Sequence, residues 1–204
     1  MKLIGMLDSP YVRRVAISLD LLGISFEHEP LSVFSTFEAF SRINPVVKAP
    51  TLILDDGSVL MDSTLIIDYF ERLASPAKSL MPSAQQPQAL AAALGSLGLA
   101  LAACEKAVQI VYEHKLRPAQ KLHEPWVERI CGQLLAACAE LDRRWAARPV
   151  QGERPDQAAL STAVAWSFMQ LMVPEWVKAG DFPALAAHTA QLEASEVFKR
   201  YPIA

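Results

Sequence analysis

Residues 75–87, SPAKSLMPSAQQP, separate two stretches whose periodicities belong to different fold classes. Before this proline-bearing segment, short runs of strand formers alternate with helical spacing, which is the pattern of an α/β unit. After it there is no strand-like alternation, only long stretches rich in Ala, Leu, Glu and Arg. The segment reads as a linker, and it predicts a mixed unit over residues 1–77 and an all-helical domain over residues 84–204.

Within the first stretch, KLIGM (residues 2–6) is a strand candidate. Val12, Val15, Ala16, Leu19 and Leu22 then form one apolar helical stripe, which Gly23 closes. ISFEHEP (24–30) is a second strand candidate and FEAFSRI (37–43) a short helix or turn. TLIL-DDG-SVLM (51–61) places two β-forming runs across an Asp-Gly turn, a hairpin signature. Leu65, Ile66, Tyr69, Phe70 and Leu73 return to helical spacing. The order is β-α-β-α-β-β-α. In the second stretch, helices are predicted near 86–116, 125–147, 156–173 and 183–194, with breaks at Pro118, at RPVQGERP (148–155) and at KAGDFP (178–183).

Composition excludes several function classes. With 52% hydrophobic and 20% charged residues and a net charge of −3, the 204-residue chain has the make-up of a globular protein and no basic excess for nucleic acid. The uncharged run ALAAALGSLGLALAAC (89–104) is shorter than a membrane span and dominated by alanine, so a core helix is the better reading. Too short an apolar run precedes Asp8 for a signal peptide, which predicts a cytoplasmic protein. The three cysteines, Cys104, Cys131 and Cys138, lack CxxC spacing. The latter two fall on a stripe with Val127, Ile130, Leu134, Leu135 and Leu141, so they read as packed thiols in a reducing compartment. His28, His114, His123 and His188 are scattered, and no metal site is expected.

Three short motifs carry candidate chemistry. In SPYVRRV, Ser9 and Pro10 make a good helix start, serine as N-cap and proline at the first helical position. The same helix end, with free N–H groups and partial positive charge, can also stabilise an anion. In NPVVKAPTL, Pro50 precedes a strand, where a trans proline at an edge is the ordinary reading. In LMDSTLIIDY, Asp62 and Ser63 open an apolar-periodic helix, again consistent with a cap alone.

The kind, order and spacing of these three motifs, on this element order followed by a helical domain, resemble the cytosolic glutathione transferases. VYEHKLRP and EPWVERI in the helical half are similar to bacterial members of that superfamily. The resemblance implies a thioredoxin-like N-terminal domain with a four-stranded mixed sheet, an all-α C-terminal domain, glutathione as co-substrate without a metal, and a homodimer. It implies that Ser9 donates to the glutathione sulfur and that Pro50 is cis. Ala49 then pairs with the tripeptide through its backbone, Lys48 is a candidate for a glutathione carboxylate, and Asp62 and Ser63 take the γ-glutamyl end. Asp62 departs from the more frequent glutamate by one methylene.

Serine at position 9, with no cysteine in the first half, points to conjugation over disulfide exchange. Tyr11 is a rival hydroxyl placed one turn into the helix. An electrophile pocket is expected between the domains, with Tyr112, His114 and Trp176 as candidates. Around DQAALSTAVAWSF the resemblance implies a reciprocal capping box, but Ala159 stands where its aspartate would be, so Asp156 caps alone. Isomerase, dehalogenase or peroxidase chemistry on the same thiolate, or a non-catalytic interaction module, are the alternatives.

Overall fold

The computed structural model describes residues 1–148 and 154–203. The chain divides into two compact units, Met1–Ser83 with Ser195–Ala204, and Ala84–Ala194.

In the first unit, β1 (Lys2–Ile4) leads into α1 (Pro10–Leu22), β2 (Glu27–Glu29), α2 (Phe37–Ile43), β3 (Thr51–Ile53), β4 (Val59–Met61) and α3 (Ser63–Leu73). The four strands form one mixed sheet in the order β2-β1-β3-β4. β1 runs parallel to β2 and antiparallel to β3, with Leu3 opposite Leu52, and the β3–β4 hairpin is antiparallel. This is the expected thioredoxin-like α/β unit. The whole predicted stripe of α1, Val12, Val15, Ala16, Leu19 and Leu22, lies in the core with Leu3, Leu52, Ile66 and Phe70. Gly23 ends α1 in the left-handed region at φ 77°, where glycine carries no Cβ penalty.

Gly5 marks a close approach. At φ 137° it lets the end of β1 pass so near α1 that a Cβ there would lie 2.5 Å from Val12 Cγ2. The His28 ring holds this turn, its Nε2 lying 2.8 Å from the Gly5 carbonyl, which makes it the protonated nitrogen.

The linker and the C-terminus depart from the sequence expectation. Leu80 is 3% exposed in the first core, and Glu71 accepts from the Leu80 N–H and the Ser79 hydroxyl, so this part of the proline segment is packed rather than free. Residues after 194 were expected in the helical domain, yet Ser195–Ala204 belongs to the first unit. Its short helix α8 (Glu196–Arg200) was not foreseen. Fully buried Arg13 explains the attachment: its Nε donates to the Tyr201 carbonyl at 2.7 Å and its guanidinium lies over the Phe198 ring. Arg200 pairs with Asp20, and Tyr201 stacks on Phe26.

The second unit is helical throughout its described residues: α4 (Pro87–Lys115), α5 (Glu124–Ala147), α6 (Gln157–Met172) and α7 (Pro183–Glu193), with single 3-10 turns at Ala119–Lys121 and Ala179–Asp181. The predicted helices are all present; most of the predicted break at 148–155 lies outside the described residues. α4 packs on α5 and α6, and α7 on both of those. α6 is buried along most of its length, which explains why its apolar residues surround the helix. Asp142 on α5 accepts from the Ala184 and Leu185 N–H groups and so caps α7, whose own preceding residue, Phe182, cannot. α4 is long and apolar enough to cross a membrane by length and composition. Here it buries one stripe, including Ala93, Leu97, Ala100, Cys104 and Ala107.

Cys104 and Cys138 are buried, and burial aided by Asp142 pushes the Cys138 thiol up to about 12. Cys131 is only half-buried.

Candidate functional site

Ser9 caps α1 in extended backbone, φ −71° and ψ 121°, and its Oγ accepts from the Val12 N–H at 3.4 Å. A hydroxyl that accepts in this way still has its own hydrogen to donate. The cap and the anion donor are therefore compatible roles for one side chain, half-buried at the start of the β1–α1–β2 crossover.

The second motif forms a held loop. The Ala49–Pro50 bond is cis, and Val47 adopts φ 52°, uncommon for a β-branched residue. Asn44, 4% exposed at the end of α2, fastens this loop. Its Nδ2 donates to Thr51 Oγ1 at 2.9 Å, and its Oδ1 accepts from the Val46 N–H at 3.0 Å. Thr51 in turn donates to the Lys48 carbonyl at 2.7 Å. Sequence reasoning passed over Asn44 and Thr51, although an Asn-Pro pair entering a loop was the available signal.

At the third motif the structure gives the cap to the first residue of the Asp-Ser pair. Sequence placed Ser63 at the helix start with Asp62 before it; Asp62 is the N-cap, accepting from the Thr64 N–H at 2.9 Å, and Ser63 is the first helical residue. Asp62 sits at φ 74°, a conformation that L-residues avoid. Lys48 reaches across from the cis-proline loop, its Nζ 3.4 Å from Asp62 Oδ2. Burial raises the Asp62 carboxyl, but the Thr64 N–H and the Lys48 ammonium outweigh it, leaving the pKa below the ordinary aspartate value.

The three motifs converge within the first unit. Gly5 brings α1 and Ala49 together, Lys48 joins the loop to α3, and Arg14 joins α1 to α3. Arg14, 2% exposed, donates from Nη1 to Ser63 Oγ at 3.0 Å and to Thr64 Oγ1 at 3.2 Å. The sequence reading missed it because a charged residue on a helix is normally solvated.

The candidates in the helical unit are less gathered. The His114 and Trp176 rings lie 4.7 Å apart at 43°. Tyr112, 44% exposed, is two residues from His114 on α4, about 200° around the helix, so the two do not share a face. Among the described residues no group of three or more His, Cys, Asp or Glu side chains is placed to hold a metal.

The sheet carries a hydroxyl at the start of α1, a cis-proline loop and an acid-serine start to α3, the frame of a thioredoxin-like fold, and comparison with known proteins narrows it. Residues 3–78 match the family described as "Glutathione S-transferase, N-terminal domain". Among curated proteins, an uncharacterized GST-like protein of Escherichia coli K12 is 34% identical over 82 residues, 40% of either chain. Glutathione transferase GST 23 of Zea mays is 31% identical over 81 residues, 40% of this chain and 36% of that protein. The matches thus span about two fifths or less of these curated relatives' length.

Solved structures align over nearly the whole chain. A glutathione S-transferase of Methylobacterium radiotolerans, in complex with glutathione sulfonate, has TM-score 0.88 at 26% identity, covering 100% of this chain and 95% of that one. A Pseudomonas fluorescens Pf-5 family member with bound glutathione has TM-score 0.79 at 27% identity, covering 98% and 97%. Together these matches make residues 3–78 similar to the glutathione S-transferase N-terminal domain, and the fold of the chain similar to that of solved glutathione S-transferases.

Proposed function

We propose that the protein is a glutathione S-transferase that joins the glutathione thiolate to a small hydrophobic electrophile. The observation that carries this reading is the convergence of the Ser9 helix end, the 44–51 loop and the Asp62–Ser63 helix start in one unit. Supporting it, the relatives from Methylobacterium radiotolerans and Pseudomonas fluorescens have glutathione sulfonate and glutathione bound.

In this reading the Ser9 hydroxyl donates to the sulfur while its lone pair keeps the Val12 N–H. A free thiol with a pKa near 8.5 is only a few per cent ionised at neutral pH. Lowering that value by about two units takes about 2.7 kcal/mol of extra thiolate stabilisation, within reach of one hydroxyl donor at a helix end. The Ala49 backbone pairs with the tripeptide backbone, and Lys48 faces a glutathione carboxylate. Asp62, ionised through neutral pH, takes the γ-glutamyl ammonium, and Ser63 takes its carboxylate. The thiolate attacks the electrophile's carbon and the displaced group leaves with its electron pair, so no cofactor is consumed. Tyr112, and the His114–Trp176 pair, are the proposed contacts for the electrophile.

A homodimer belongs to the proposal. α3 exposes Leu65, Tyr69 and Leu73, at i, i+4 and i+8, to 64%, 38% and 66% while burying Ile66 and Phe70 on its other side. An apolar stripe of this kind on a surface helix favours a covering partner. Cysteines that form no disulfide fit a cytoplasmic location.

The test is conjugation of glutathione to an activated aryl halide, beside calorimetry with glutathione alone. Ser9→Ala is expected to lose about 100-fold in rate at pH 7, the kinetic equivalent of two pKa units, and to recover as pH rises toward the free thiol value. Full activity in Ser9→Ala removes the role of Ser9. No glutathione binding at millimolar concentration in the unmutated protein removes the transferase reading and favours an interaction module.

A further inference from the structure

The pair Arg13-Arg14 looks uniform in sequence, but its members do different things. Arg13 holds the C-terminal segment through the Tyr201 carbonyl and the Phe198 ring. Arg14 points to the start of α3, where Nη1 donates to Ser63 Oγ at 3.0 Å and Thr64 Oγ1 at 3.2 Å. Arg14 and Ser63 are 2% and 4% exposed, so this contact is largely out of water.

A guanidinium only donates and stays charged at any working pH. When it donates to a serine oxygen, the serine's hydrogen has to turn away from it, and the hydroxyl becomes an oriented donor. The fixed positive charge behind that oxygen polarises the O–H bond, and low local polarity strengthens the effect. The helix end itself adds partial positive potential at the same place.

We propose that Arg14 is a positioning residue for the γ-glutamyl carboxylate of glutathione: it acts through Ser63, orienting and polarising the hydroxyl that binds that carboxylate. The inference rests on the glutathione reading above and goes beyond it by assigning the ligand's carboxylate selectivity to a side chain that does not touch the ligand. Arg14 on α1 then couples the helix that carries Ser9 to the one that receives the far end of the tripeptide.

The experiment compares two ligands on the full chain by calorimetry: glutathione, and 4-aminobutanoyl-cysteinyl-glycine, which lacks only the γ-glutamyl carboxylate. The unmutated protein is expected to prefer glutathione by about tenfold or more, the range of a charge-assisted hydrogen bond. Arg14→Gln is expected to abolish most of that preference by weakening glutathione while leaving the analogue nearly unchanged. Ser63→Ala is expected to do the same, and the double variant to lose no more than either single one. A merely structural role predicts that both ligands weaken together at a constant ratio, and that result overturns the proposal. Arg14→Lys, which keeps a buried cation but not the guanidinium fork, carries the test if Arg14→Gln does not fold: the ratio falls to an intermediate value, and an unchanged ratio overturns the proposal. Glutathione binding without preference over the analogue in the unmutated protein overturns it while sparing the transferase reading; failure to bind either ligand defeats both.

Discussion

Each unit starts a helix on an aspartate, and the two starts are built differently. In the helical unit Asp156 caps α6 from ordinary extended backbone, φ −77° and ψ 172°, and accepts from the Ala159 N–H at 2.8 Å. In the sheet-bearing unit Asp62 caps α3 at φ 74° and accepts from Thr64, one residue closer. Capping does not require that conformation, since Asp156 manages without it. The contrast extends to the backbone as a whole: among the described residues every positive-φ position, Gly5, Gly23, Val47, Gly57 and Asp62, lies in the first unit. Two of them, Val47 and Asp62, are non-glycine residues at the converging motifs, where strain of about 1–3 kcal/mol each is retained only if the surroundings over-determine it. The helical unit follows local rules, and the first unit departs from them where its candidate site lies.

The largest expected effect tests that contrast at glycine. Gly5→Ala should lose at least about 2 kcal/mol of stability, because its φ of 137° disfavours any Cβ and Val12 Cγ2 would stand 2.5 Å away. Gly98→Ala on α4, where a Cβ meets nothing within 4 Å, should gain about 0.5–1 kcal/mol. Urea unfolding of both variants checks the pair, and equal effects would dissolve the distinction.

Next in size, Asn44→Ala should cost about 2 kcal/mol, since it leaves buried Thr51 and the Val46 N–H without the partner that fastens the loop. Glutathione affinity should fall with it, as Lys48 and Ala49 ride on that loop. A variant that loses stability but binds glutathione unchanged would separate the loop from the site.

The two aspartates give the third comparison. Asp156→Ala should cost about 1 kcal/mol, the usual value of a lost cap. Asp62→Gly should instead raise stability by up to about 1 kcal/mol, because glycine adopts φ 74° freely, while weakening glutathione binding. A loss of stability in both variants alike would make Asp62 an ordinary cap.

What could be read in advance follows the same division. The α1 stripe, the Asp-Gly hairpin and the four long helices were legible because each is a local pattern of period 3.6 or 2. The three motifs were legible as helix starts and a loop, and became a candidate site only through their resemblance to a known family. Arg14, Asn44 and the C-terminal segment were not legible, because each acts through one long-range polar contact. Arg13 meets Tyr201 across 188 residues, and no periodicity encodes such a bond. Which member of the Asp62–Ser63 pair caps α3 was illegible for another reason: both residue types are good N-caps, and tertiary contacts with Arg14 and Lys48 bear on which one serves.

The smallest expected effect is in pH dependence, and it isolates the charge of Asp62 from its geometry. Asp62→Asn keeps an oxygen for the Thr64 N–H but removes the attraction to Lys48. Because the folded pKa of Asp62 lies below the ordinary value near 3.9 of an unfolded chain, its charge contributes stability that is fully present above about pH 4. That contribution disappears as pH falls through the folded pKa, where the carboxylate takes up its proton in both states. The stability gap between the unmutated protein and Asp62→Asn should therefore stay level from pH 7 to about pH 4.5 and close below about pH 4. It should be small throughout, since Asp62 and Lys48 side chains are 41% and 50% exposed and solvent screens them. Added salt should narrow it further. A gap that widens on acidification would mean that the carboxyl is held protonated in the folded state, reversing the role assigned to Lys48 and removing the basis for an ammonium-binding aspartate at the start of α3.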